Sequence, residues 1–436
     1  MNNKQSSALY HQGRFWRLAL VNILSNLMVP LASLVDVAFL GHLAEIRYLA
    51  GVAIATVLFN YIYWTFGFLR MGTTGMTAQA QGKGETETVW LILLRNSAIA
   101  LLIGVVILFC QQPLRELGFR LLQAEPDVLA AGKAYYNALI WGAPATLLNF
   151  VLLGWFLGQG QGKPVLLLSV TNKGANIILD YLLIVRWGQS SAGAGAATAL
   201  SQLITLILGL ILVVSQLKGK SGQVNMAKIW KLSAFKAIFA LNREILIRTV
   251  ALVSTFALFT NLSATLGTEI LAGNTLLLQV VTLAAYFIDG IAFATESIAG
   301  NLQGQGKKEQ LLPLLKLAGG VSLMAGLGFA LIFGLLPQPL FSLLTSHAEV
   351  IVLIKSYVWW LLPILGFASV AYMLDGYFLG LTAGKILRQS TLIAAMIGFT
   401  PMAIAAWYWQ VNHLLWLALA LFMATRSITL ARKINN

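Results

Sequence analysis

The sequence contains 436 residues, of which 58% are hydrophobic and only 10% are charged. That much apolar surface cannot be buried in a water-soluble core, so the composition requires lipid as the surrounding solvent. Apolar stretches of about 20 residues, each long enough to cross ~30 Å of hydrocarbon, recur from end to end of the chain. They lack the strict alternation of strands, which excludes an outer-membrane barrel and predicts an all-α integral membrane protein.

We predict about twelve transmembrane helices in two pseudo-symmetric six-helix bundles. The spans are expected to begin near Phe15, Leu49, Val89, Tyr135, Pro164 and Gly193 in the first half, and near Ile245, Leu271, Leu311, Ile351, Ile386 and Asn412 in the second. The longest hydrophilic stretch is basic and amphipathic, and it falls between the sixth and seventh spans. The predicted organisation is an N-terminal bundle over residues 1–217, a cytoplasmic amphipathic linker over 218–244 and a C-terminal bundle over 245–436.

The net charge of +14 at pH 7 would be compatible with nucleic-acid binding if the basic residues formed one patch. Instead they concentrate in alternate loops, and Arg95, Arg248 and Arg426 are among those assigned to cytoplasmic span ends. This asymmetry follows the positive-inside rule and places both termini in the cytoplasm. We therefore expect a monomeric protein of the plasma (inner) membrane, with the lipid bilayer and no nucleic acid as a partner.

An internal repeat relates the two halves at an offset of 222 residues. At this offset Gly154 aligns with Gly376, Gly158 with Gly380, and Gly162-Lys163 with Gly384-Lys385. Six spans separate the paired positions, so both halves enter the membrane in the same direction. Transporters built from such parallel repeats carry their substrate between the halves.

The first span carries a polar stripe formed by Asn22, Asn26, Ser33 and Asp36 on an otherwise apolar helix. Pro30 lies within this stripe. Its ring removes an N–H and frees the carbonyl of Asn26, which predicts a helix bend beside the polar side chains.

A second polar face lies in the fifth span, where Lys173, Asn176 and Asp180 are spaced by three and four residues. A carboxylate inside an apolar span is costly, so Asp36 and Asp180 are functional candidates by default. With their amide neighbours they could share a proton or a Na⁺ ion. The alternative is that both carboxylates pair with lysine and only hold helices together.

The second half has its own acidic residues within spans: Asp289, Glu296 and Asp375. These side chains could recognise substrate or a second ion, or they could pair with other helices for structural reasons. The sequence shows no catalytic triad, no clustered carboxylates of a DDxxD type and no metal-ligand spacing of histidines. We therefore expect no enzyme activity and no cofactor apart from H⁺ or Na⁺ as a coupling ion.

Taken together, these features resemble the multidrug and toxic compound extrusion (MATE) transporters, in particular their DinF-like branch. The segments that carry the resemblance are Pro30-Leu31, Asp36, Gly41-His42-Leu43, Leu69 to Gly75, Gly154 to Gly158, Asn176 to Asp180, and Asp289-Gly290 to Glu296. The resemblance implies two six-helix bundles and export of organic compounds driven by proton or sodium influx.

The resemblance also implies positions for the cation site. The residues that coordinate the cation in the N-terminal bundle would be Asp36, Asn176, Asp180 and Thr198, and acids of the C-terminal bundle in other branches would fall near Asp375. Many members carry a proline where this chain has Val21. Any bend of the first helix would therefore depend on Pro30.

Two transport functions follow from these observations. The first is secondary active export of small organic compounds in exchange for H⁺ or Na⁺ by alternating access. The alternative is a flippase of lipids or lipid-linked precursors with a related fold. Such flippases often have extra spans and cationic cavities, whereas the charged groups assigned to the spans here are mainly acidic.

Overall fold

The structure is a computed structural model that describes residues 3–41, 43, 45–121, 124–217, 226–345 and 347–434. Within these ranges the chain forms helices and no strand, as the composition predicts. The helices of the first half are α1 (Asn3–Gly41), α2 (Ile46–Thr65), α3 (Phe68–Gly82), α4 (Thr86–Phe109), α5 (Gln111–Leu121), α6 (Pro126–Leu139), α7 (Ala143–Gly158), α8 (Gly162–Asp180) and α9 (Ser190–Leu217).

The helices of the second half are α10 (Leu232–Thr265), α11 (Thr268–Gly304), α12 (Leu311–Leu335), α13 (Pro337–Phe341), α14 (Ala348–Tyr357), α15 (Leu361–Gly380), α16 (Gly384–Ile393), α17 (Thr400–Trp409) and α18 (Asn412–Ala431). Short irregular helices connect several of them. A 3₁₀ turn over Ile140–Gly142 joins α6 to α7, and π-helical segments follow α8 (Tyr181–Arg186) and α16 (Ala394–Phe399).

Eleven helical segments of the described chain are long and apolar enough to cross a membrane. They contain eleven of the predicted spans. The remaining predicted span, which begins near Pro164, corresponds to α8 and its π-helical extension. Its polar residues, which include Lys173 and Asp180, lower its average hydropathy below that of the other helices.

The internal repeat is visible in the bounds of the helices. The pair α2–α3 begins at Ile46 and ends at Gly82. Adding the offset of 222 residues to these two positions gives Thr268 and Gly304, which are the first and last residues of α11. The backbone follows the same relation, because the turn residues Gly84 and Gly306 both have φ of 75°. Each half is thus the same arrangement of helices built from a diverged sequence.

Close backbone contact between helices explains why glycines recur in the repeat. A Cβ on Gly376 of α15 would lie 2.3 Å from the carbonyl oxygen of Ala292 on α11. A Cβ on Gly154 of α7 would lie 2.5 Å from the carbonyl oxygen of Arg70 on α3. Only a residue without a side chain fits at these two equivalent crossings.

We expect Gly376→Ala to destabilise the protein by about 1–3 kcal/mol because the added methyl group forces α11 and α15 apart. Gly328→Ala in α12 is the matched control, since a Cβ there meets no atom within 4 Å. Alanine favours a helix over glycine by up to ~1 kcal/mol, so the control should be neutral or slightly stabilising. Thermal unfolding of the two purified variants in detergent measures the difference, and equal melting temperatures would contradict the packing argument.

The chain divides into two compact units. The N-terminal unit comprises Leu24–Phe239, and the C-terminal unit comprises Met1–Ile23 together with Ala240–Asn436. Helices α1 and α10 each contribute residues to both units. The sequence-based division at residues 217 and 244 describes the two repeats and stays a prediction for the domains.

The predicted amphipathic linker is only partly a separate segment. Residues 218–225 lie outside the described chain, and α10 already begins at Leu232 and continues into the seventh span. Between them, the carbonyl oxygens of Lys228 and Ile229 accept hydrogen bonds of 2.6 and 3.0 Å from Arg95 of α4. Arg95 therefore holds this segment against the N-terminal unit.

Three arginines assigned to cytoplasmic span ends are buried within helices. Arg95 in α4, Arg248 in α10 and Arg426 in α18 are 8%, 6% and 0% exposed. The prediction counted them among the cytoplasmic basic residues that follow the positive-inside rule. Each of the three instead donates to a carbonyl or a carboxylate inside the protein.

Candidate functional site

The N-terminal unit contains a buried polar cluster between α8 and α9. The side-chain amide of Asn176 donates to Asp180 Oδ2 at 2.8 Å and reaches Thr198 Oγ1 at 3.5 Å. Asp180 is 1% exposed and Asn176 is 4% exposed. The structure thus brings together three of the four residues that the family resemblance assigns to the cation site.

Local helix geometry fixes each of these side chains. Asn176 and Asp180 are four residues apart, so they lie on the same face of α8. Thr198 donates its hydroxyl hydrogen to the carbonyl of Ala194 at 3.0 Å, which leaves its oxygen free to accept from Asn176. The cluster therefore presents carboxylate, amide and hydroxyl oxygens, the ligand types that hard cations prefer.

Asp180 is also the last residue of α8 before the π-helical segment Tyr181–Arg186. Single π-helical turns are uncommon and occur often at functional sites, because they shift the register of the backbone hydrogen bonds. The irregularity begins directly after the buried carboxylate. A change in the charge of Asp180 would act on a helix that already departs from regular geometry.

Asp36 and Pro30 both lie on α1, which runs from Asn3 to Gly41 with Pro30 inside it. The side chain of Asp36 lies outside the described residues. Two other members of the polar stripe bond back to their own helix: Asn22 donates to the carbonyl of Leu18 at 2.9 Å, and Ser33 donates to the carbonyl of Val29 at 3.2 Å. The bend at Pro30 and the role of Asp36 stay predictions.

A second buried cluster lies in the C-terminal unit, where α10, α15 and α18 meet around Asp375. Arg248 and Arg426 both donate to Asp375 Oδ2, the latter at 2.5 Å. The guanidinium of Arg426 also lies over the ring of Tyr372, 5.6 Å from its centroid. Asp375 is 4% exposed. Two buried cations thus share one carboxylate oxygen.

The other acidic candidates of the second half lie on α11. One of them is Asp289, seven residues before Glu296. Glu296 is fully buried two helical turns further along α11, where Gly380 of α15 packs against its carbonyl.

The two halves differ at these sites although their folds match. At the repeat offset Asp36 aligns with Leu258 and Asp180 aligns with Met402, so the C-terminal unit lacks the first cluster. Leu153 stands in the N-terminal unit where Asp375 stands in the C-terminal one. Each unit therefore has a polar site of its own.

Sequence reasoning missed the arginine partners of Asp375. Arg248 lies 127 residues before Asp375 and Arg426 lies 51 residues after it, so no local spacing connects them. A usable signal did exist, because each arginine is flanked by apolar residues within a span and Asp375 needs an opposite charge once it is buried.

Comparison with known proteins agrees with the family resemblance seen in the sequence. The MatE family model matches residues 22–182 and 245–409, which covers both repeats. The chain is 36% identical to DNA damage-inducible protein F of Escherichia coli (strain K12) over 421 residues, covering 95% of this chain and 90% of that protein. It is 25% identical to the probable multidrug resistance protein NorM of Thermotoga maritima, covering 78% of this chain and 73% of that protein.

Solved structures share the fold. A MOP superfamily transporter from Pyrococcus furiosus superimposes with a TM-score of 0.88 at 19% identity, covering 98% of this chain and 96% of that one. At this level of identity the likeness shows the fold and not the substrate. It confirms the predicted all-α fold.

Proposed function

Because the chain belongs to the MatE family of membrane transporters, we propose that it exports small organic compounds in exchange for H⁺ or Na⁺ moving inward. It is a transporter and not an enzyme. The observation that carries the proposal is the contact of Asn176, Asp180 and Thr198 in the N-terminal unit. A carboxylate in this setting is costly unless it binds a cation during the transport cycle.

In the proposed mechanism Asp180 supplies the negative charge that attracts the coupling ion. Asn176 and Thr198 contribute neutral oxygens and orient the carboxylate, and Asp36 on α1 completes the site. Binding of H⁺ or Na⁺ neutralises the site and changes the geometry of α1 near Pro30. This change biases the transporter between outward-open and inward-open conformations, since a ligand shifts an equilibrium only by its different affinity for the two states.

The proposed setting is the plasma (inner) membrane, with both termini in the cytoplasm and a monomer as the working unit. The basic loops support this orientation. Two relatives are named a probable multidrug resistance protein and a multidrug and toxin extrusion protein, which favours efflux of organic compounds over the flippase alternative.

The test is export from proteoliposomes under one imposed gradient at a time. We expect the wild-type protein to respond to a pH gradient or to a Na⁺ gradient, and Asp36→Asn to respond to neither. Fluorescent organic cations and a lipid analogue serve as alternative cargoes, with liposomes lacking protein as the blank. Equal rates for the wild-type protein and Asp36→Asn would refute ion coupling at this site, and movement of the lipid analogue alone would favour the flippase.

A further inference from the structure

A shallow groove of about 640 Å³ lies at the end of the C-terminal unit where α16 begins and α18 ends. Two helices and the turn after α18 contribute to its walls. The lining residues are Ile247 from α10, Arg388, Gln389, Leu392 and Ile393 from α16, and Lys433 directly after α18. None of these residues belongs to either polar cluster described above.

Positive charge is in excess around this groove. The only carboxylate paired there among the described residues is that of Glu244, which contacts Arg388 at 3.0 Å and Arg243 at 2.8 Å. Lys433 is exposed and forms no ion pair within the described part of the chain. The neighbouring side chains of Lys385 and Arg432 are also exposed and basic.

The exposed face of α16 changes from polar to apolar along the helix. Lys385, Gln389 and Ile393 are spaced by four residues and therefore form one stripe. The first two are polar, whereas Ile393 and, in the π-helical segment that follows, Ile397 are 41% and 69% exposed. A ligand lying along this stripe would meet charge at one end and hydrocarbon at the other.

We propose that this groove binds an anionic phospholipid. Its phosphate lies between Arg388 and Lys433, and an acyl chain extends along Leu392 and Ile393. Basic pockets at the ends of transmembrane helices bind anionic head groups because opposite charges attract at the membrane surface over the short distance that salt screening allows. The apolar wall favours a lipid over a free phosphate ion, and the proposal does not depend on ion-coupled export.

The experiment measures binding of phosphatidylglycerol to the purified full-length protein in detergent by native mass spectrometry. We expect Lys433→Gln to weaken this binding about fivefold, the effect of one basic side chain near an anionic head group. Lys308→Gln is the matched control, because Lys308 is exposed in the turn between α11 and α12 and lies outside the groove. The control variant should bind phosphatidylglycerol like the wild-type protein.

Three outcomes would overturn the proposal. Equal losses in Lys433→Gln and Lys308→Gln would indicate attraction to the general surface charge. Competition by inorganic phosphate at the same concentration would indicate a site for a free anion. Equal binding of phosphatidylcholine would indicate an apolar groove without selectivity for charge. Both variants change exposed side chains, so a folding defect is not expected to obscure the result.

Discussion

Asp180→Asn is expected to abolish ion-driven export while leaving the protein folded. The substituted amide has almost the same shape, and its oxygen can still accept the hydrogen bond from Asn176 that Asp180 Oδ2 accepts at 2.8 Å. An amide, however, neither binds a proton near neutral pH nor balances the charge of Na⁺. Because Asp180 is 1% exposed, no bulk water reaches the position to solvate a cation there in place of the carboxylate.

The expected effect on transport is large. One elementary charge that crosses 100 mV gains ~2.3 kcal/mol, which corresponds to a roughly 50-fold accumulation of an uncharged compound that is exported in one-to-one exchange for the ion. Asp180→Asn should lose this accumulation and only equilibrate the substrate across the membrane. The measurement is steady-state substrate accumulation in inside-out vesicles, with and without the membrane potential, alongside substrate binding in detergent.

A matched carboxylate in the same unit provides the control. Asp127 lies at the start of α6, where its side chain is 76% exposed and 3.6 Å from Arg47. Asp127→Asn removes the same charge from a hydrated position, so it should transport like the wild-type protein. Equal accumulation by Asp180→Asn and Asp127→Asn would show that the buried cluster is not the coupling site.

The helices and their repeat could be predicted because both follow from local rules. Each span needs enough consecutive apolar residues to cross the hydrocarbon, and each turn between spans carries its own polar residues. The close crossings at Gly154 and Gly376 were visible as glycines in register at one offset. The proximity of Asn176 and Asp180 followed from helical spacing in the same way.

The pairing within the C-terminal cluster could not be predicted because its members are far apart in sequence and meet only after folding. Arg248 and Arg426 were assigned to cytoplasmic span ends, whereas packing of α10, α15 and α18 buries both against Asp375. The sequence also carries no local signal for the π-helical turn after Asp180 or for the start of α10 at Leu232.

Asp375→Asn is expected to destabilise the protein by ~3–5 kcal/mol, because a neutral amide leaves two buried guanidinium groups without their counter-charge. Three guanidinium nitrogens, Arg248 Nε and Arg426 Nε and Nη1, are buried and have no hydrogen-bond partner among the described residues. The loss should lower the melting temperature by about 3–5 °C for a chain of this length. Thermal unfolding in detergent measures this difference.

A charge-balanced variant separates a structural role of Asp375 from a role in binding. Asp375→Asn combined with Arg248→Met and Arg426→Met removes all three buried charges, and the methionine at position 426 packs against the rings of Tyr372 and Phe422 that Arg426 now covers. If Asp375 only holds the helices together, the triple variant should recover most of the lost stability and should transport at nearly the wild-type rate. A triple variant that is stable but inactive would instead show that Asp375 binds substrate or a second ion, since its charge would then be required after the cost of burial has been removed.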